Sequence, residues 1–158
     1  MNPLHRLRRQ EKTPVQPGYL YIETSDTHPG LLRLLSDESK PAVPQLRDDG
    51  SRVRYVARFE DKLAAQMHAH NALRRGLVDI DARLYRGDVI EAIAAVEADE
   101  LHHQREYLDP QLAEERGDSI AAATERRVQR HRRSTRIFDA IGKVALGWLI
   151  INLLVLSV

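Results

Sequence analysis

The sequence of 158 residues has no cysteine, and aromatic residues make up only 5% of the chain. The absence of cysteine excludes a disulfide framework and a thiolate metal site, and it fits a reducing compartment. The sequence also contains no glycine-rich phosphate loop and no GxSxG motif, so common signatures of nucleotide binding and serine nucleophiles are missing. Residues 1–12 are basic and have no apolar run, so we do not expect a secretory signal peptide there.

Acidic and basic residues are separated along the chain, although the net charge is only +1. Residues 89–118 hold nine acidic residues against two arginines, and an arginine cluster follows. The cluster consists of Arg126, Arg127, Arg130, Arg132, Arg133 and Arg136. Such a cluster attracts anionic lipid headgroups or nucleic-acid phosphates. A second set of arginines either forms another basic surface or pairs with the acidic stretch, within the chain or between subunits. That set is Arg52, Arg54, Arg58, Arg74 and Arg75.

Long hydrophobic runs are absent except at residues 137–158. At a helical rise of about 1.5 Å this segment reaches roughly 33 Å, enough to cross a bilayer core of about 30 Å. Its uncharged part, Val144–Val158, is too short alone, so Lys143 must extend its side chain toward the interface. We therefore expect a transmembrane helix over 137–158. The alternative is a hydrophobic helix buried in the domain core or in an oligomer.

The arginine cluster directly precedes this segment, and positive residues that flank a span stay in the cytoplasm. Because the chain stops at Val158, we expect a tail anchor in the bacterial inner membrane, with the preceding domain in the cytoplasm. Lys143 and Trp148 are expected to contact lipid together with the arginine cluster. Asn152, Gly142 and Gly147 favour contact with a second helix, which predicts a homo-oligomer formed through this segment.

Three segments before the anchor have the residue pattern of strands. Gly18–Thr24 (GYLYIET) and Gly30–Leu35 (GLLRLL) are short apolar runs separated by a turn signal. Arg52–Phe59 (RVRYVARF) alternates, which predicts arginines on one face and an apolar set on the other. The apolar set is Val53, Tyr55, Ala57 and Phe59.

Capping and breaking residues predict the helices. Asp61 begins a helix that runs to about Arg75 and ends at Gly76. Its predicted apolar stripe is Leu63, Met67, His70 and Leu73. A second helix runs from Asp88 to about Leu108. A third, short helix starts at Asp109-Pro110 and is broken at Gly117-Asp118-Ser119.

From Ser119 onward no proline interrupts the chain, so one long helix is expected to run into the membrane segment. The expected fold class is therefore α+β, with a small antiparallel sheet and packed helices followed by a transmembrane helix. The expected organisation is a flexible basic arm (1–16), an α+β domain (17–108), a helical connector (109–136) and the anchor (137–158).

The order of these elements resembles the GIY-YIG nuclease superfamily. The residues Gly18-Tyr19-Leu20-Tyr21-Ile22 and His28-Pro29-Gly30-Leu31-Leu32-Arg33 are similar to the GYVYV and PGLVKIGKT signatures of its phage-type subgroup. Arg83-Leu84-Tyr85-Arg86-Gly87-Asp88 lies where members read REFFRVD, and Val89-Ile90-Glu91-Ala92-Ile93 resembles LEEAI. The resemblance covers residues 17–96 and implies the fold of that superfamily.

The same resemblance implies metal-assisted phosphodiester hydrolysis, but the residues at two family positions have changed. Tyr21 corresponds to the first tyrosine, and Arg33 stands where the subgroup often has lysine. Ser36 replaces the catalytic basic residue, and Arg83 replaces the glutamate that holds a divalent cation. A guanidinium cannot bind such a cation and repels it. The resemblance therefore argues against activity and implies no cofactor.

Two alternative metal sites with carboxylate ligands remain. Asp79, Asp81 or Asp88 would have to replace the missing glutamate if the chain were a nuclease that uses a divalent cation. Glu100 and His103 form an ExxH pair on the predicted second helix, which is half of a di-iron motif, but no second copy exists. A solvated acidic face is the simpler interpretation of that pair.

The sequence thus predicts a membrane-anchored, non-catalytic binding module that recruits a protein or DNA. One alternative is a membrane-tethered, metal-dependent DNA endonuclease with a rearranged site. Another is a small oligomerising membrane protein regulated by its cytoplasmic domain.

Overall fold

An antiparallel sheet of six strands lies beneath three α-helices in the computed structural model of the chain. The structure describes residues 15–156 apart from 45, 48 and 49, and it describes side chains up to residue 133 together with Trp148. The α+β class predicted from the sequence is confirmed.

The strands are β1 (Gly18–Ser25), β2 (Leu31–Asp37), β3 (Ser51–Phe59), β4 (Leu77–Asp79), β5 (Leu84–Arg86) and β6 (His103–Leu108). Their order across the sheet is β4-β5-β2-β1-β3-β6. The helices are α1 (Lys62–Leu73), α2 (Val89–Glu97) and α3 (Pro110–Leu156), and a 3-10 turn, Arg74–Gly76, follows α1.

The central strand β1 divides its side chains between two cores. Leu20 and Ile22 point to the helices and belong to the larger core. Tyr21 points to the opposite face, where it packs with Val53 and Val56. Since side chains alternate along a strand, both faces of β1 are buried and the whole sheet is built around it.

The predicted alternation of β3 is wrong at one position. Tyr55 pairs with Ile22, but Val53 pairs with Glu23, so Arg54 is an extra residue in a β-bulge. The bulge turns Val53 to the smaller core, away from Tyr55, Ala57 and Phe59 in the larger one. The Arg54 side chain reaches Asp109, with 2.7 Å between Nη1 and Oδ2.

Helix α1 begins and ends as predicted but turns a different face to the core. The Asp61 carboxylate accepts from the backbone N–H of Leu63 and Ala64, both at 3.1 Å, and so caps the helix. The buried residues are Lys62, Ala65 and Ala69. Of the predicted stripe, Leu63 and Met67 are 46% and 56% exposed, His70 is half-buried and only Leu73 packs against the core.

The close approach of α1 to the sheet explains this face. A Cβ added at Gly18 of β1 would collide with the Lys62 side chain and the Asp37 carbonyl. The buried face of α1 is thus made of two alanines and of Lys62, whose side chain lies against Gly18. At the other end of α1, a Cβ on Gly76 would collide with the carbonyl of Arg86, so glycine is required where the predicted helix ends.

The prediction that the second helix runs to Leu108 is wrong. Helix α2 ends at Glu97, and His103–Leu108 is a strand that pairs with β3. The Asp99 side chain accepts from the N–H of Leu101 at 2.9 Å and so helps to close the connection. Glu100 and His103 are therefore not on one helix, and the His103 ring stacks on Phe59 at 5.0 Å.

Helix α3 continues through Gly117, so the predicted break is also wrong. Asp109 starts the helix by accepting from the N–H of Gln111 at 3.0 Å. Ile120 and Ala123 then lie in the larger core, at 2% and 1% exposure. Burial of this helix face outweighs the cost of about 1 kcal/mol for glycine in a helix interior.

Among the residues whose side chains are described, no helix combines the length and the apolarity needed to cross a membrane. Apart from Trp148, the predicted span, 137–158, lies outside those residues, and this includes Gly142, Lys143, Gly147 and Asn152. Arg136 lies outside them too.

The buried face of α1 can be tested with two substitutions, one that should change the free energy of unfolding strongly and one that should change it little. We expect Ala69→Leu to lower the free energy of unfolding by about 1–3 kcal/mol, because the side chain would overpack the core. Met67→Ser should change it by about 0.5 kcal/mol or less, because Met67 is exposed. Urea unfolding followed by circular dichroism measures both changes. A larger loss of stability in Met67→Ser than in Ala69→Leu would support the apolar stripe predicted from the sequence.

Candidate functional site

Two of the four family-equivalent positions, Ser36 and Arg83, meet between β2, α1 and the turn that joins β4 to β5. The Asp79 carboxylate tightens this turn by accepting from the N–H groups of Asp81 at 2.8 Å and Ala82 at 3.0 Å. Arg83 has a φ of 49°, a left-handed conformation that is uncommon for arginine. Its N–H donates to the Ile80 carbonyl and its carbonyl accepts from Leu34, both at 3.2 Å. Both backbone groups of Arg83 are thus held.

The Arg83 guanidinium is held by two neutral side chains. Nη1 donates to Ser36 Oγ at 3.4 Å. We assign the Gln66 amide so that its oxygen accepts from Arg83 Nε at 3.3 Å and from Nη2 at 3.2 Å, and its nitrogen donates to Ser36 Oγ at 2.7 Å, because the opposite orientation would set the amide NH₂ group against the guanidinium donors. In this orientation each hydrogen bond within the trio joins a donor to an acceptor. Ser36, Gln66 and Arg83 form what we call the arginine clamp.

The charge of Arg83 has no counterion in the part of the chain that the structure describes. No described carboxylate lies within ion-pair distance of it, although the side chain is half-buried. A guanidinium has five N–H donors, and the clamp uses three of them. The two others are enough for a forked contact with an anion.

A cavity of about 280 Å³ opens beside the clamp. Its rim includes Leu63, Met67 and Ile80, and Ile80 is 64% exposed. His70 and Tyr85 form part of its wall, with 2.8 Å between His70 Nδ1 and the Tyr85 hydroxyl. Burial raises the pKa of Tyr85, and the nearby charge of Arg83 offsets part of this effect, so the hydroxyl keeps its proton at neutral pH.

The other two family-equivalent positions, Tyr21 and Arg33, face away from the clamp. Tyr21 pairs with Leu35, the neighbour of Ser36, and therefore lies on the opposite face from Ser36. Arg33 pairs with Glu23 on that same opposite face. The Glu23 carboxylate is buried there, 2.7 Å from Arg47 Nη2. Burial, followed by the charge of Glu23, raises the pKa of Tyr21, so its hydroxyl is protonated at neutral pH. The sheet itself separates the four positions into two pairs.

The aspartates that could replace the family glutamate have local structural roles. Asp79 holds the turn before Arg83. Asp88 caps α2 by accepting from the N–H of Ile90 at 2.6 Å. Asp81 is exposed. Within the described part of the chain, no group of three or more histidine, aspartate or glutamate side chains is placed to hold a metal ion.

Two members of the arginine cluster are paired within the chain. Glu91 of α2 lies 2.9 Å from Arg127 Nη2 and 3.6 Å from Arg126 Nη2. Arg130, Arg132 and Arg133 are exposed on α3. In the second set of arginines, the pair of Arg54 with Asp109 confirms that one member meets the acidic stretch.

Sequence reasoning missed Gln66 and assigned Met67 and His70 to the core. Gln66 and His70 are one helical turn apart and share a face of α1. This spacing was the available signal for a polar face on α1, but it does not connect that face with Ser36.

Comparisons of the chain with models of protein families, with curated proteins and with solved structures find no match. The relation to GIY-YIG nucleases stays a prediction from the sequence.

The arginine clamp can be tested with a double-mutant cycle. We expect Gln66→Ala to cost about 1 kcal/mol more in the wild-type chain than in an Arg83→Met background, because only the wild type loses a hydrogen bond to a charged group. Urea unfolding of the four variants gives the coupling energy. Gln129→Ala, which removes an exposed glutamine on α3, is the control that should not couple to Arg83. If the effects of the Gln66 and Arg83 substitutions on the free energy of unfolding add within about 0.3 kcal/mol, the result contradicts the clamp.

Proposed function

We propose that this chain is a non-catalytic binding module, with a GIY-YIG-like domain held on the cytoplasmic side of a membrane by residues 137–158. The module recruits a partner, either a protein or DNA near the membrane. The observation that carries the proposal is the arginine clamp, which occupies the position where the family resemblance calls for a metal-binding glutamate.

The clamp argues against phosphodiester hydrolysis on electrostatic grounds. A divalent cation at this position would need anionic oxygen ligands, whereas Arg83 presents a fixed positive charge. Its partners Ser36 and Gln66 are neutral, so they do not offset that charge. A cation placed here would be repelled, and no nucleophilic water would be activated.

The separation of the family-equivalent residues supports the same conclusion. A nuclease site needs a tyrosine, a basic side chain and the metal on one phosphate group. Tyr21 and Arg33 lie on one face of the sheet, while Ser36 and Arg83 lie on the other. Side chains on opposite faces of a sheet cannot contact the same phosphate.

Attachment to a membrane is supported by composition and by exposed charge. Residues 144–158 contain no charged side chain. Arg130, Arg132 and Arg133 are exposed just before the apolar segment, where they are available to anionic headgroups. Because Arg126 and Arg127 pair with Glu91, we assign lipid contact to the later arginines, to Lys143 and to Trp148, which is 69% exposed. Self-association through Gly142, Gly147 and Asn152 remains part of this proposal.

A DNA cleavage assay tests the loss of catalysis. The full chain is required, because Ile120 and Ala123 of α3 belong to the core and shorter fragments would lose them. We expect supercoiled plasmid to stay intact with the detergent-solubilised chain and Mg²⁺ or Mn²⁺, under conditions in which an unrelated metal-dependent nuclease cuts it. Metal-dependent nicking that is lost in Tyr21→Phe but kept in Tyr107→Phe, a half-buried tyrosine of the same sheet face, would establish the nuclease alternative. Salt-sensitive retention of uncut DNA would instead favour DNA over a protein as the partner.

A further inference from the structure

We propose that the cavity beside the arginine clamp binds a small aliphatic carboxylate, with its carboxylate on Arg83 and its apolar chain on Leu63, Met67 and Ile80. This inference rests on the proposed loss of catalysis at the clamp, and it adds a small-molecule ligand to the proposed recruitment of a protein or DNA.

The charge of Arg83 favours an anionic ligand. The guanidinium is half-buried, its clamp partners are neutral, and no described carboxylate lies within ion-pair distance. A positive charge partly removed from water attracts an anion more strongly than an exposed one does. Two N–H groups remain outside the clamp, which matches the two oxygens of a carboxylate.

The apolar rim of the cavity favours a ligand with an aliphatic chain. Leu63, Met67 and Ile80 are large apolar side chains, at 46%, 56% and 64% exposure, and they line the same cavity as Arg83. Leu63 and Met67 are one helical turn apart on α1, and Ile80 faces them from the turn between β4 and β5. A small inorganic anion would leave all three in water, whereas an aliphatic chain would cover them.

The size of the cavity and the single arginine in its lining favour a small anion with one negative charge. Its volume of about 280 Å³ is just below the range of about 300–1,000 Å³ that is typical of small-molecule sites, so the ligand must be small. Among the described residues that line it, Arg83 is the one arginine, and none is a lysine, an aspartate or a glutamate. A single guanidinium balances a monoanion, so a carboxylate fits better than a phosphate with nearly two negative charges.

The chain contains only two methionines, Met1 and Met67, which makes the site directly observable. The full chain, carrying ¹³C-methyl methionine and held in lipid nanodiscs, would be titrated with hexanoate and followed by NMR. The Met67 signal, assigned with a Met67→Leu variant, should shift saturably. Acetate, which lacks the chain, and hexan-1-ol, which lacks the charge, should bind at least about tenfold more weakly.

Two arginine variants complete the test. Arg83→Gln should weaken hexanoate binding about tenfold or more, whereas Arg86→Gln, at an exposed arginine of the same hairpin, should leave it unchanged. Arg83→Lys keeps the charge and should retain part of the affinity, and the dispersion of its methyl signals shows whether it is folded. No saturable shift, equal binding of hexanoate and hexan-1-ol, or full affinity in a folded Arg83→Gln variant would each overturn the proposal. These results leave the DNA assay unaffected, and metal-dependent cleavage in that assay would overturn the proposed function itself.

Discussion

The alternation of side chains along β1 is the constraint on which the rest of this structure depends. Leu20 and Ile22 point to the helices, while Tyr21 and Glu23 point to the opposite face. Because β1 lies at the centre of the sheet and is buried on both faces, a shift of one residue would place a buried carboxylate in the apolar core. Because paired residues share a face of the sheet, the β1–β2 register also sets the faces on which Arg33 and its neighbours lie. It therefore determines which residues can share a site and keeps the family-equivalent positions apart.

Arg83 gives the helix face of the sheet its chemical character. The left-handed conformation and the hydrogen bonds to Leu34 and Ile80 fix the Arg83 backbone, and Ser36 and Gln66 hold its guanidinium. A half-buried cation with neutral partners is costly unless an anion joins it. An arginine at a position where the resembling family has a metal-binding glutamate thus changes the preferred ligand from a cation to an anion. In our account, a binding site has replaced a hydrolytic one.

Much of the fold could be predicted from local patterns, and the errors have common physical causes. The strands up to Phe59 and the cap at Asp61 follow from alternation and from a short acceptor before an apolar run, and both are confirmed. The predicted face of α1 was wrong because large apolar residues were assumed to be buried, whereas α1 approaches the sheet closely and buries Lys62, Ala65 and Ala69. β6 was missed because pairing with β3, a tertiary contact, overrides the helical preference of residues 99–108. Ser36 and Arg83 were identified from the resemblance, but Gln66 joins them only through tertiary packing, which no local pattern contains.

Helix α3 joins the α+β domain to the proposed anchor. Ile120 and Ala123 fix its first part in the core, and the stretch from Ala123 to Ile137 spans roughly 20 Å at the helical rise. The domain would then be held at a set distance from the lipid, with the exposed arginines of α3 between them. The most direct measurement of this central claim is alkaline extraction of membranes from cells that express either the full chain or a variant ending at residue 136, which keeps the core residues of α3. Our account predicts that the full chain stays with the membrane pellet and that the shortened variant is released. Release of the full chain into the supernatant would contradict it.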